Sequence, residues 1–131
     1  MTESAGGYFF VLDEIAWPDE GESAGALGDL VEAAKRSGAR RKYLARGEGG
    51  FFSQYSEFPA GFTVPRHTHD HNEIIFLLDG SCTMLGDAGP TLRAGDSMVL
   101  IGGYEYGFTA GADGMKFVTI RTGKADTQLT P

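Results

Sequence analysis

Cysteine is almost absent from this chain, and so is any long apolar run. Cys82 is the single cysteine among 131 residues, so no disulfide can form within the chain, and we interpret it as a small core residue. No stretch is long and apolar enough for a membrane helix, and the first residues lack the basic and apolar regions of a secretory signal. We therefore expect a cytoplasmic protein without a membrane partner.

Basic residues are also scarce. The chain has 11 Lys and Arg against 18 Asp and Glu, which gives a net charge of −7. A nucleic-acid-binding protein normally presents a basic face, and the densest basic cluster here is only Arg40-Arg41-Lys42. The negative field also disfavours an anionic membrane surface. Charge therefore argues against nucleic acid as a partner.

Glycine, by contrast, is abundant. The 20 glycines are about twice the average usage, and they separate short runs rich in Phe, Tyr, Val, Ile and Thr, as turns separate short strands. Asp79-Gly80 between two apolar runs predicts a two-residue hairpin. From residue 40 onward we predict nine strands, at 41–45, 50–58, 62–66, 73–78, 81–85, 90–92, 97–101, 104–109 and 115–121. The pattern predicts a single-domain all-β sandwich or barrel.

The first 39 residues differ in character. Residues 7–17 predict a strand, and Ser23 can cap a helix whose apolar positions recur at helical spacing in Ala26, Leu27, Leu30, Val31 and Ala34. We expect this N-terminal strand and helix (1–39) to pack on the barrel or on a dimer seam. The barrel itself would span 40–122, and 123–131 would form a loose C-terminal tail.

The run "EIIFLL" (73–78) does not alternate between apolar and polar residues. A strand of this kind should be covered on both faces. One face would meet the barrel interior, and the other would meet the N-terminal helix or a second subunit. We therefore expect a homodimer.

All three histidines and one glutamate fall within seven positions. His67 and His69 are two residues apart, so on a strand both point to the same face. Glu73 follows four positions later, about 13 Å along an extended strand, too far for a common ion bound at about 2 Å. The chain must therefore bend, and residues 70–72 suit a turn or bulge. The spacing predicts a metal site at His67, His69 and Glu73, with His71 in the loop rather than among the ligands.

Two imidazoles and one carboxylate leave coordination positions open for water, oxygen or substrate. Such a set suits Fe(II), our first expectation, and also Mn, Ni, Co or Zn. Arg66, next to His67, could pair with an anionic substrate and is a candidate catalytic residue. The alternative interpretation is a polar loop before a buried strand, which needs no ion.

These residues resemble the first motif of the cupin superfamily. The spacing matches at Gly61, His67, His69, Glu73 and Gly80, and a weaker second motif matches at Gly95 and Gly103. The resemblance covers about residues 40 to 121 and is typical of small single-domain cupins. It implies a double-stranded β-helix, or jelly-roll barrel, of two antiparallel sheets with a metal inside.

The second motif departs from the cupin pattern at two positions. Ile101 stands where cupins usually have proline, and Tyr106 stands where they usually have a histidine, the fourth ligand. Tyr106 could bind the metal as a phenolate. It could instead act beside a metal-bound water as a hydrogen-bond donor or general acid, or the site could have lost its metal.

Two functions fit this sequence. The first is a metal-dependent cupin enzyme with a 2-His-1-Glu site, acting on a small oxygen-rich molecule such as an enol, catechol, keto acid or hydroxy acid. Dioxygenase and isomerase, lyase or cyclase chemistry both fit, with Tyr106 and Arg66 as catalytic candidates. The alternative is a cupin that binds a sugar or other effector without turning it over.

Overall fold

The computed structural model describes residues 2–4, 6–18, 38–86, 89–123 and 127–129. Strands dominate these ranges, with short 3-10 turns at Leu12–Glu14 and Glu48–Gly50. The helix predicted within residues 23–36 lies outside the described residues. The strands are β1 (Thr2–Ser4), β2 (Gly7–Phe9), β3 (Arg40–Arg46), β4 (Phe52–Phe58), β5 (Thr63–His69), β6 (Glu73–Met84), β7 (Thr91–Arg93), β8 (Ser97–Leu100), β9 (Tyr106–Arg121) and β10 (Thr127–Leu129).

Two long strands, β6 and β9, organise the barrel. They pair antiparallel with each other, and each takes different outer partners at its two ends. Where β6 begins and β9 ends, β6 also pairs with β8 and β9 with β4, which in turn pairs with β3. Where β6 ends and β9 begins, the outer partners are β7 and β5, with β10 beyond β5. The prediction of an all-β antiparallel fold is therefore confirmed.

The prediction of a hairpin at Asp79-Gly80 is wrong. Strand β6 continues through both residues, and its pairing with β9 shifts register on either side of them. The segment 110–114, expected to be a linker, likewise lies within β9. Gly80 has a φ of +76°, and a Cβ at this position would collide with the carbonyl oxygen of Gly114. The glycine therefore permits a bulge where two backbones approach closely, rather than a chain reversal.

Most residues of the hydrophobic core lie on β6 and β9. Its buried members are Ile75, Leu77, Cys82, Leu100, Tyr106, Phe108, Ala110, Met115 and Phe117. Cys82 is fully buried there, and burial raises the pKa of its thiol to about 11. It therefore stays a protonated core residue at neutral pH.

The outer segments differ in part from expectation. Of the strand expected over 7–17, only Gly7–Phe9 is a strand. Strand β10 lies within the segment predicted to be a loose tail and pairs with β5. The division into N-terminal segment, barrel and tail stays a prediction. None of the helical segments among the described residues is long and apolar enough to cross a membrane.

Candidate functional site

The two histidines of β5 meet tip to tip. Because their side chains are two residues apart on a strand, both project from the same face, and their Nε2 atoms lie 3.1 Å apart. The rings are nearly perpendicular, with 4.7 Å between centroids. His67 is only 5% exposed. The local strand geometry thus brings two nitrogen atoms to one point.

The His67 ring is fixed by the backbone before it. Its Nδ1 lies 2.8 Å from the carbonyl oxygen of Pro65. Since a carbonyl can only accept, Nδ1 carries the hydrogen, and the neutral ring presents a lone pair at Nε2. This is the support that metal-ligating histidines commonly have.

The expected bend after His69 is present, and hydrogen bonds hold it. The Gly103 N–H donates to the His69 carbonyl at 2.8 Å, and the Gly102 N–H donates to Asn72 Oδ1 at 2.8 Å. Beyond the bend, β6 begins at Glu73, whose Oε1 lies 3.6 Å from His69 Nε2. His71 lies in the bend and pairs with Asp70 at 2.6 Å. The bend thus brings Glu73 back to the imidazoles and leaves His71 outside the cluster.

Tyr106 joins the glutamate to the histidines. Its hydroxyl donates to Glu73 Oε1 at 2.5 Å and lies 3.1 Å from His69 Nε2. It is 6% exposed, and burial together with the Glu73 carboxylate holds the pKa of the phenol well above its usual range. The sequence left several roles open for Tyr106, and in this geometry the residue acts as a neutral hydrogen-bond donor.

His69 Nε2 faces two atoms that both present lone pairs. His67 Nε2 does so because its proton is on Nδ1, and Tyr106 Oη does so because its proton goes to Glu73. Burial lowers the pKa of His69, as do the nearby His67 and Arg121, while Glu73 and Asp70 raise it. The ring is therefore neutral, and either a hydrogen on its Nε2 or a cation must lie between these atoms.

Arg121 is a site residue that the sequence did not reveal. It ends β9 directly opposite Glu73 on β6, and its Nε lies 3.6 Å from Glu73 Oε2. Its side chain is 16% exposed, and its buried Nε has no hydrogen-bond partner among the described residues. Only the pairing of distant strands places Arg121 here, so no local signal could have found it.

The structure does not bring Arg66 to this cluster. Because adjacent residues of a strand point to opposite faces, its position beside His67 turns it away. Arg66 is exposed and pairs with Glu105 at 3.7 Å. The catalytic role predicted from its neighbourhood in sequence therefore has no support in the structure.

Within the part of the chain that the structure describes, no group of three or more His, Cys, Asp or Glu side chains is arranged to hold an ion directly. The Tyr106 hydroxyl hydrogen-bonds to both Glu73 Oε1 and His69 Nε2. A surface cavity lies elsewhere, and its charged lining residues are Arg40, Glu57, Asp79, Asp113 and Lys116. We take the histidine cluster as the candidate site because complementary buried donor atoms converge there.

Comparisons with known proteins identify the fold. No family model matches the sequence, and no curated protein matches it either. KdgF from Halomonas sp. superposes with a TM-score of 0.67 at 21% identity, covering 90% of this chain and 96% of that one. An RmlC-like cupin from Shewanella frigidimarina gives 0.66 at 18% identity, covering 90% and 93%. The polyketide cyclase RemF from Streptomyces resistomycificus gives 0.62 at 17% identity, covering 71% of each chain.

Proposed function

We propose that this protein, which has the cupin fold, binds a divalent transition-metal ion through His67, His69 and Glu73 and acts on a small oxygen-rich molecule. The observation that carries the proposal is the meeting of the His67 and His69 Nε2 atoms at 3.1 Å. Two such atoms repel unless a proton or a cation lies between them. A metal ion would meet that requirement.

The spacing suits an ion of this class. Nitrogen ligands bind such ions at about 2.0–2.1 Å, so neighbouring ligands of an octahedral ion lie about 3 Å apart. The two nitrogens have that separation, and the Pro65 carbonyl supports the His67 ring from behind. Glu73 supplies the carboxylate, with Tyr106 and Arg121 on its two oxygens. The donor set fits Fe(II) first, with Mn, Ni, Co or Zn as alternatives.

A bound ion would supply Lewis acidity or, as iron, oxygen activation. The protein's own groups would supply orientation and proton handling. Tyr106 holds Glu73 in place and keeps a proton beside the histidines, so it could donate to a substrate oxygen. RemF, a polyketide cyclase with the same fold, supports an enzymatic role, and both cyclase or isomerase chemistry and dioxygenase chemistry fit an open site.

A second candidate function is binding without turnover. It is favoured by Tyr106, which stands at the position of the usual fourth histidine and hydrogen-bonds to a prospective ligand, Glu73. In that case the barrel would hold a sugar or other effector without a catalytic metal. The two functions differ in whether the purified protein retains an ion.

Metal content tests the first proposal. We expect about one equivalent of metal per chain after loading with Fe(II) or Mn(II) and removal of excess ion, measured by elemental analysis. His67→Ala and Glu73→Gln should lose it, because each removes one ligand. His71→Ala, the matched histidine outside the cluster, should retain it. A folded wild-type protein without bound metal would contradict the proposal, and small-molecule binding by that protein would support the alternative.

We also propose that the protein acts in the cytoplasm as a homodimer, with a small molecule rather than nucleic acid or membrane as its partner. The charge of −7 supports the choice of partner. The dimer rests on an exposed apolar sheet face that includes Ile74, Phe76 and Leu78 of β6.

A further inference from the structure

Arg121 presents a positive charge at the edge of the proposed site. Its strand neighbours on the two sides are Phe52 and Glu73. Directly opposed residues of paired strands project from the same face of a sheet, so Arg121 shares the face of Glu73.

The contact with Glu73 does not give the Nε of Arg121 a hydrogen bond. The Nε–Oε2 distance of 3.6 Å allows electrostatic attraction but exceeds the length of a normal hydrogen bond. The Nε atom is buried and lacks a hydrogen-bond partner in the described ranges. A guanidinium carries five N–H donors in a fixed plane, and buried N–H groups are nearly always paired. An acceptor is therefore needed beside Arg121.

The charges of the site favour an anionic acceptor. Glu73 is the negative group that the described residues place against Arg121, with its Oε2 3.6 Å from the arginine Nε. In the proposed function the same carboxylate is also a ligand of a divalent ion. One carboxylate cannot neutralise both an ion of charge +2 and a guanidinium. The loaded site would carry excess positive charge in a buried setting, which favours an anionic ligand.

We infer that Arg121 binds the carboxylate of the substrate, and that the substrate is a small 2-oxo or 2-hydroxy acid. This inference rests on the proposed function and narrows it, because a neutral catechol or sugar would bring no negative charge to balance the guanidinium. The planar guanidinium suits a carboxylate, which can accept two parallel hydrogen bonds from it. The adjacent oxo or hydroxy oxygen would lie toward the histidines. Arg121 is thus a substrate-binding residue.

Matched acids and amides test the inference. Pyruvate and lactate are compared with pyruvamide and lactamide, which have nearly the same shape without the charge. Binding is measured by titration calorimetry on metal-loaded and on chelator-treated protein. The variants are Arg121→Gln, Arg121→Lys and Arg93→Gln. Arg93 is an exposed arginine at the end of β7, which pairs with residues 81–83 of β6 rather than with Glu73. Its replacement therefore removes the same charge at a position outside the cluster.

We expect the wild-type protein to bind at least one acid more tightly than its amide. Arg121→Gln should weaken acid binding by about 10- to 100-fold, the cost of a lost charged hydrogen bond, and leave amide binding and metal content unchanged. Arg121→Lys should recover part of the loss because it restores the charge but not the planar donor pair. Arg93→Gln should behave as the wild type.

Other outcomes separate this inference from the proposed function. If the wild type holds no metal but binds acids in an Arg121-dependent way, the metal proposal fails and the role of Arg121 stands. If metal is bound but Arg121→Gln binds acids as the wild type does, Arg121 serves only as the counter-ion of Glu73 and the inference fails. It also fails if neither acid binds, or if both Arg121 variants lose the metal or the fold.

Discussion

At the scale of single residues, Tyr106 connects the parts of the site. Its buried hydroxyl contacts both Glu73 and His69, and its ring packs near that of His67, with 4.4 Å between centroids. Because the phenol stays protonated, it orients the Glu73 carboxylate by donating to one oxygen. The position at which the resemblance to cupins implies a fourth histidine thus carries a hydrogen-bond donor.

Replacement of Tyr106 by Phe tests this role. The variant leaves a buried carboxylate oxygen without its donor, so we expect the free energy of unfolding to fall by about 1–3 kcal/mol. Urea denaturation measures the change, and Tyr104→Phe is the control because Tyr104 is 59% exposed. Metal content should be retained. Loss of the metal in Tyr106→Phe would instead identify the phenolate as a ligand.

A second hydrogen-bond network joins β3 to β4 and is partly exposed. Tyr55 donates to Glu57 Oε2 at 2.6 Å, and Arg40 donates to Oε1 through Nε at 3.1 Å and Nη2 at 2.9 Å. Partial burial raises the pKa of Glu57, but the hydrogen bonds from Tyr55 and Arg40 outweigh it, so the pKa lies below its ordinary value. Trp17 packs over Arg40 and joins the N-terminal segment to this network.

This lowered pKa predicts a pH dependence of stability. The folded state releases the Glu57 proton more readily than the unfolded state, so the contribution is complete above the ordinary pKa and is lost as the pH falls through the lower, folded value. Glu57→Gln should lower the free energy of unfolding by about 1–3 kcal/mol at pH 7. The difference from wild type should shrink on acidification below about pH 4. Glu14→Gln, an exposed glutamate, is the control, and a pH-independent difference would contradict the assignment.

At the scale of elements, the bulge of β6 at Gly80 allows this one strand to pair with different neighbours at its two ends. Before the bulge β6 pairs with β8, and after it with β7. The bulge requires a positive φ and close contact with the backbone of Gly114. Only glycine meets both conditions without strain.

Alanine substitutions separate these two conditions. Gly80→Ala should destabilise the fold by more than about 3 kcal/mol or prevent folding, since the added Cβ meets backbone that cannot move aside. Gly95 also has a positive φ, +92°, but a Cβ there meets nothing within 4 Å. Gly95→Ala should therefore cost only about 1–2 kcal/mol. Thermal and urea unfolding measure both, and equal losses would show that the close contact contributes nothing.

At the scale of the whole molecule, one sheet face is apolar and exposed. Along β6, Ile75 and Leu77 are buried, but Ile74, Phe76 and Leu78 are 44%, 42% and 47% exposed. Val99 and Ile120 lie beside Ile74 on the neighbouring strands and are 64% and 38% exposed. Single-chain proteins seldom leave contiguous apolar patches of more than a few hundred Å² uncovered.

We propose that a second copy of the chain covers this face. A sheet face can pack on a copy of itself about a two-fold axis, and stable interfaces bury about 800 Å² on each partner. The exposed apolar residues extend over β6, β8 and β9, so a second copy could contact all three strands. Strand β6 was expected to be covered on both faces, by the barrel interior on one and by the N-terminal helix or a second subunit on the other. The helix falls outside the described residues, so this choice stays a prediction.

Lysine substitutions test the dimer. The mass of the wild type in solution, measured by light scattering, should be twice that of one chain. Val99→Lys and Phe76→Lys should shift it to a single chain, because each would bury a charge within the interface. Phe9→Lys, at an exposed position on β2 in a separate sheet, should remain dimeric. A monomeric wild type would indicate that the chain itself covers the face.

The sequence by itself determined the fold class and much of the cluster. Short runs rich in β-branched and aromatic residues, separated by glycine turns, predict an all-β fold because strand and turn preferences are local. The spacing of His67, His69 and Glu73 predicts a bend because the reach of an extended chain is limited. These inferences need only a few neighbouring residues, and the structure contains both the barrel and the bend.

The tertiary structure alone decided which side chains surround that cluster. Tyr106 and Arg121 come to Glu73 through the pairing of β6 with β9, two strands far apart in sequence. Arg66, beside the histidines in sequence, is turned outward by strand alternation. Asp79-Gly80 has the local chemistry of a hairpin but forms a bulge because β9 continues the pairing past it. Local sequence limits what a segment can do, whereas long-range contacts select among those possibilities.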